Sequence, residues 1–350
     1  MRRRVEIGIL HSSSGDYCAI AAASRAGALA GVSDVNASAQ SFIEMMPVLR
    51  DPRGQVDLYA PLCHDILTTS RARHVIGCAT SSSRKEVLPV IERHGATLWY
   101  ALPYEGFEAS DHAVYMHACP NQHLLPLLDW ALPRFGTRVH LVGSNYIWGW
   151  EINRLAREVV ANAGGSITAE RHLPMGEIAV ASMVEEIADL RPDFVLNSLV
   201  GTTQYAFVAA LRAVRPDLPV LSCNLTECEL PRMGGAAEGL IAAGPYFAET
   251  GTGFANSHAA AAHASVIEMA RLFERHEGGE DMPLAELLAL DQGAGPIDFE
   301  THHTALPVLI AEVRDGAFQV LRRLPPVPGD PYLARHDRRA PARAQLRLVP

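Results

Sequence analysis

The chain has 350 residues, 48% of them hydrophobic and 20% charged, with a formal net charge of −9. That length suits two lobes better than one core, and the composition excludes disorder outside the tail. The acidic balance argues against direct nucleic-acid binding, which needs a clustered basic excess, and no stretch is apolar for long enough to span a membrane.

The first strand, Val5–Leu10, follows Met1-Arg2-Arg3-Arg4 directly. No apolar leader separates them, so the expectation is a cytoplasmic protein, with a periplasmic one as the alternative if a leader was removed. Ala19–Asn36 and Val56–Thr69 read as helices, the latter with apolar residues at 58, 62, 66 and 67. His74–Cys78 is a strand, Arg84–His94 a helix, and Thr97–Ala101 and Ala113–His117 are strands. A polar, proline-bearing break at Cys119-Pro120-Asn121 precedes a helix over Gln122–Phe135. Strand Arg138–Gly143, helix Glu151–Ala163 and strand Ser166–Glu170 come next. Helix 178–190, strand 193–198, helix 203–214 and strand 219–222 follow, with a second break near Gly244–Phe247 and a long helix over 255–277. Strands 308–313 and 317–321 flank Asp315-Gly316, a hairpin signal. After Leu324 the tail is rich in Pro and Arg and is expected to fray. This alternation predicts an α/β protein with parallel, doubly wound sheets, and so many units predict two of them.

Ligands of open α/β sheets sit beyond the carboxyl ends of strands. Small polar residues stand at five such ends: His11–Gly15, Thr80–Ser83, Leu102–Gly106, Ser144–Trp148 and Val200–Thr203. Hydroxyls and free N–H groups at helix starts can hold a carbonyl oxygen, and Tyr and Trp can sandwich a flat group. Together they describe a site for a small planar polar molecule.

Competing signals are weaker. Ser82-x-x-Lys85 lacks the companion elements of a serine–lysine acylating enzyme, so Lys85 is expected on a solvated helix face and no enzymatic activity is expected. His112, His117, Cys119 and His123 could converge on a metal, but the break at Pro120 explains the segment without one. The six cysteines show no CxxC spacing and are expected reduced and mostly buried. No glycine-rich phosphate loop occurs, and no cofactor is expected.

Several segments, taken collinearly, resemble the amide- and urea-binding branch of the type 1 periplasmic binding proteins. They are Val5–Gly15, Gly77-Cys78 with Ser81 and Arg84-Lys85, Tyr104–Glu108, Pro120–Gln122, Val142–Ile147, Glu151–Asn153, Val200–Thr202, Thr226–Glu229, Ala243–Phe247 and Asp330–Tyr332. Within that branch the chain is most similar to cytosolic amide-sensing regulators of aliphatic amidase operons. The resemblance implies two lobes joined by three crossings near 119–122, 245–250 and 304–307. It divides the chain into an N-terminal lobe (1–120 with 250–305), a C-terminal lobe (121–249 with 306–324) and a tail (325–350). It implies ligand contacts at Ser81, Tyr100, Pro103, Tyr146, Trp148, Val200 and Gly201, with Ala79 and Leu102 at matching positions; Tyr104 and Glu227 are expected to be structural or at the cleft edge, and His302-His303 structural. The implied ligand is a small neutral amide- or urea-like molecule, and the implied partner an RNA-binding antiterminator protein, with room for a homo-oligomer. An ABC-transporter substrate-binding role is the alternative. Ala79 and Leu102 replace an aromatic and a hydroxyl-bearing residue, Asn145 an aspartate and Trp148 a tyrosine. The loss of the hydroxyl at 102 removes one net hydrogen bond, about 0.5–1.5 kcal/mol. The expected ligand is therefore larger or less polar than acetamide or urea.

Overall fold

The computed structural model describes residues 2–108, 110–248 and 253–335. It begins with β1 (Arg3–Leu10), α1 (Cys18–Ala37), β2 (Ile43–Arg50), α2 (Tyr59–Thr69), β3 (His74–Gly77), α3 (Ser81–Arg93), β4 (Thr97–Tyr100) and β5 (Ala113–Tyr115). The chain continues through α4 (Leu124–Phe135), β6 (Arg138–Ser144), α5 (Ile147–Asn162), β7 (Ser166–Leu173), α6 (Ala181–Leu190) and β8 (Phe194–Ser198). Then come α7 (Thr202–Val214), β9 (Val220–Ser222), the short α8 (Leu230–Met233), β10 (Leu240–Gly244), α9 (Ser257–Arg275) and α10 (Leu284–Asp291). A hairpin of β11 (Leu306–Arg314) and β12 (Ala317–Val327) completes the order.

Two sheets result. One is parallel throughout, in the order β2-β1-β3-β4-β5. The other runs β12-β11-β10-β9-β8-β6-β7, parallel except for β11 and β12. Strands covered on both faces should be apolar throughout, and β3, β4, β8 and β10 are buried at every position. On the first sheet, α1 and α9 cover one face through Ala28, Val32, Val266 and Met269. Helices α2 and α3 cover the opposite face through Ile66, Val87 and Ile91. The first pair packs closely because α1 carries Gly27: a Cβ there would stand 2.1 Å from the carbonyl oxygen of Ala259.

The chain passes between the sheets after β5, after β10 and before β11. Gln122 ties the first passage to the third, donating to the carbonyl oxygens of Thr304 (2.9 Å) and Val327 (2.7 Å). At the hairpin Asp315 and Gly316 adopt φ of 54° and 76°, the left-handed pair a two-residue turn requires.

The structure departs from the sequence expectations in several places, among them helix α10, which went unpredicted, and β12, which runs on to Val327. Strand β2 went unpredicted; Pro47 interrupts its pattern, which is tolerable because β2 is an edge strand. Strand β10 also went unpredicted, hidden beside the break at Gly244. Helices α3 and α5 begin three and four residues earlier than expected, placing Ser81 and Trp148 on helices. The tail does not fray up to residue 335: Leu333 is buried, Asn121 donates to the Pro328 carbonyl oxygen (2.9 Å), and the Phe107 N–H donates to that of Pro331 (3.0 Å). Residues 336–350 of the expected tail lie outside the described residues.

Candidate functional site

Strand ends of both sheets meet at one cavity, partly open to solvent. On the first-sheet side, Thr80 caps α3: its Oγ1 accepts from the Ser83 N–H (3.2 Å), while the Ser83 Oγ accepts from the Thr80 N–H (3.0 Å). The reciprocal cap fixes Ser81 as the first helical residue, facing the cavity beside Ala79. Strand β4 delivers Tyr100, Leu102 and Pro103. From the second sheet, β6 leads to Tyr146 and Trp148, and β8 to Val200. Trp148 is held by its indole N–H, which donates to the Ser198 carbonyl oxygen (3.1 Å).

Eight of the expected residues are thus brought together: Ala79, Ser81, Tyr100, Leu102, Pro103, Tyr146, Trp148 and Val200. Gly201 is not among the lining residues. Its φ of +64° and its closeness to Asp16, where a Cβ would stand 2.2 Å from the carbonyl oxygen, make it a close-approach glycine between the two halves. Beside it the Thr202 hydroxyl donates to Asp16 Oδ1 (2.8 Å), closing one rim. Thr80, which the sequence reading placed in the strand-end loop Thr80–Ser83, also lines the cavity, as do Ile20, Asn224 and His258, which that reading missed. Asn224 follows β9, so the strand-end rule reaches it; His258 follows a chain crossing, where that rule gives no signal.

A buried ionic group stands behind Ser81. The Ser81 hydroxyl donates to Glu105 Oε2 (2.6 Å), and Arg84 Nη2 donates to Glu105 Oε1 (2.6 Å). Arg84 Nε reaches Glu108 Oε1 (2.7 Å), and Lys85 Nζ reaches Glu108 Oε2 (2.8 Å). Arg84 and Glu105 are essentially inaccessible, while the Lys85 side chain is half exposed. Lys85 is therefore more than a solvated charge, since it closes this group. Burial opposes the charge on Glu108, but Arg84, Lys85 and the Tyr115 hydroxyl outweigh it and hold the carboxyl down at about 2. Two cations face two carboxylates, and among the described residues no Asp, Glu, Lys or Arg lines the cavity itself.

The other residues singled out from the sequence are accounted for locally. Tyr104 stacks on Tyr115 (4.3 Å between rings), which stacks on His303 (4.5 Å). Glu227 accepts from the Ala248 N–H (2.6 Å). Around the suspected metal group, the ring Nδ1 atoms of His117 and His123 accept from the N–H groups of Ala118 (2.8 Å) and Leu124 (2.6 Å). His112 pairs through Nδ1 with the Ala96 carbonyl oxygen (2.8 Å). Among the described residues no group of three or more His, Cys, Asp or Glu could hold a metal ion, and no helix is long and apolar enough to cross a membrane.

Glu229 is a buried acid away from the cavity lining. Burial pushes its carboxyl up to about 8, only partly offset by the Tyr205 hydroxyl, which donates to it (3.2 Å). The folded state thus retains a proton that an unfolded glutamate loses near 4.5. The Glu229 contribution to stability should fall as pH rises from ~5 to ~8, and Glu229→Gln should remove it, so the pH profiles of the two proteins should diverge across this range. Denaturant midpoints measured across this range check it; parallel slopes in the two proteins would contradict it.

Residues 5–277 match the periplasmic binding protein domain family. Solved structures with similar folds include an ABC-transporter solute-binding protein of R. palustris in complex with benzoate (TM-score 0.81, 15% identity, 93% of this chain and 98% of that one). Another from Rhodopseudomonas palustris, in complex with p-hydroxybenzoic acid, has a TM-score of 0.81 at 17% identity, over 95% of this chain and 100% of that one. A branched-chain amino acid transporter substrate-binding protein of Streptococcus pneumoniae, in complex with isoleucine, has a TM-score of 0.78 at 16% identity, over 93% of this chain and 100% of that one.

Proposed function

This chain belongs to the periplasmic binding protein family, and from that premise we propose that it captures a small, neutral, planar amide- or urea-type molecule between its two sheets and hands it to a membrane permease. The observation that carries the ligand class is the direction of one hydrogen bond. A serine hydroxyl has one proton, and that of Ser81 goes to Glu105. Toward the cavity Ser81 therefore offers lone pairs, which suit a ligand N–H. The first N–H groups of α3 have no partner within the helix and suit a carbonyl oxygen. An amide presents both.

A carboxylate fits this end less well. The start of α3 attracts negative charge by ~0.3–1 kcal/mol, but Glu105 and Glu108 already sit there. Among the described residues, an α-amino acid finds no carboxylate in the lining for its ammonium group. Tyr100, Leu102, Tyr146 and Trp148 supply a flat, largely apolar enclosure, which supports a planar body larger than acetamide. Because the lining comes from both sheets, ligand favours the arrangement in which they approach, by its differential affinity for it. The solute-binding proteins similar in fold support the transport role.

A second reading, regulation of amide-utilisation genes through an RNA-binding antiterminator, is favoured by the collinear motifs shared with the amide-sensing branch. Uptake of labelled benzamide separates the two. The transport reading expects uptake to collapse when the gene is deleted, to return with an intact copy and, at limiting benzamide, to return only in part with a Ser81→Ala copy. Unchanged uptake together with altered expression of amide-utilisation genes would overturn it in favour of regulation.

A further inference from the structure

His258, the second residue of α9, lines the cavity and is 1% exposed. Its situation contrasts with that of its neighbour His117, whose ring lies 5.5 Å away. His117 accepts from the Ala118 N–H at Nδ1 (2.8 Å) and so presents a proton at Nε2 to the Ser257 hydroxyl oxygen (3.2 Å). His258 has no such pairing: among the described residues neither ring nitrogen finds a hydrogen-bond partner. Buried polar groups are rarely left unpaired, and a leucine would fill the same space without that penalty. Burial also pushes the imidazole down to about 3, so the ring is neutral, with one donor and one acceptor nitrogen.

The position of His258 matters as much as its state. Ser81 opens α3, on the face of the first sheet covered by α2 and α3, whereas His258 opens α9, on the face covered by α1 and α9. The two side chains therefore reach the cavity from opposite sides of the sheet's edge.

We infer that His258 is a second ligand-binding group, taking a hydrogen-bonding substituent on the ligand distinct from the one held at Ser81, so that the captured molecule is difunctional. A planar amide bearing a ring hydroxyl is the class that fits. The inference rests on the cavity being the ligand site, as proposed above.

Calorimetric titration of the full chain with benzamide and its three ring-hydroxylated derivatives tests it, alongside the corresponding benzoates. At least one hydroxylated amide should bind ~10-fold or more tightly than benzamide. His258→Leu should erase that gap, and its ligand-free melting temperature should equal or exceed that of the unaltered protein. His258→Gln should retain part of the gap. A gap that is absent, or that survives in His258→Leu, overturns the inference, as does a lower ligand-free melting temperature in that variant. Benzamide binding that depends on Ser81, without a hydroxyl gap, sinks the role of His258 alone. A His258-dependent gap confined to the benzoates keeps the role of His258 and sinks the amide reading.

Discussion

Replacing Arg84 by methionine is expected to cost the fold ~3–5 kcal/mol, a large share of the ~5–15 kcal/mol by which proteins are usually stable. The guanidinium is fully buried and, among the described residues, is the only side chain paired with both Glu105 and Glu108. It also lies over the rings of Tyr100 (4.7 Å) and Tyr104 (4.8 Å). Methionine can fill the volume, but it leaves the Glu105 charge buried with the Ser81 hydroxyl as its one remaining side-chain donor among the described residues. Arg84→Lys should not rescue the loss, because one ammonium cannot reproduce a planar fork bonded to two carboxylates. Guanidinium titration followed by the fluorescence of buried Trp99 and Trp148 measures the effect; a loss under ~1 kcal/mol would contradict it.

This ionic group also shows where the sequence was legible and where it was not. Alternating strands and helices displayed the α/β order, and hydroxyls at strand ends pointed to the residues that line the cavity. Local patterns carry both, because parallel strands are apolar throughout and helix starts need caps. The direction of the Ser81 hydrogen bond was not readable. It depends on Glu105 arriving from a loop after the next strand and on Arg84 holding it there. His258 was equally hidden, since its α9 follows a chain crossing and reads as an ordinary alanine-rich helix. The packed tail was misjudged for a similar reason: composition suggested fraying, but Asn121 and Gln122, about two hundred positions earlier, hold it.

Trp148→Ala is expected to weaken ligand binding by ~2–3 kcal/mol, roughly 30- to 150-fold, because it removes one wall of the cavity. The same change should destabilise the ligand-free fold by ~3–5 kcal/mol. The indole belongs to the core and meets the His123 ring edge-on (5.9 Å). The two effects separate in Trp148→Leu, which keeps apolar volume in the core but loses the flat face; it should recover most of the stability and little of the affinity. Thermal unfolding with and without ligand reads both quantities. Recovery of affinity by leucine would show that Trp148 is merely structural.

The most direct test of the account sets a primary amide against the acid of the same shape. Calorimetric titration with benzamide and with benzoate, at neutral pH, isolates the group that meets Ser81. The lone pairs of Ser81 and the carboxylates behind it predict that the amide binds ~10-fold or more tightly. They also predict that Ser81→Ala lowers amide affinity by ~0.5–1.5 kcal/mol while leaving the acid nearly unaffected. Tighter binding of benzoate, or an equal loss for both ligands in Ser81→Ala, would contradict the hydrogen-bond direction on which the proposed ligand class depends.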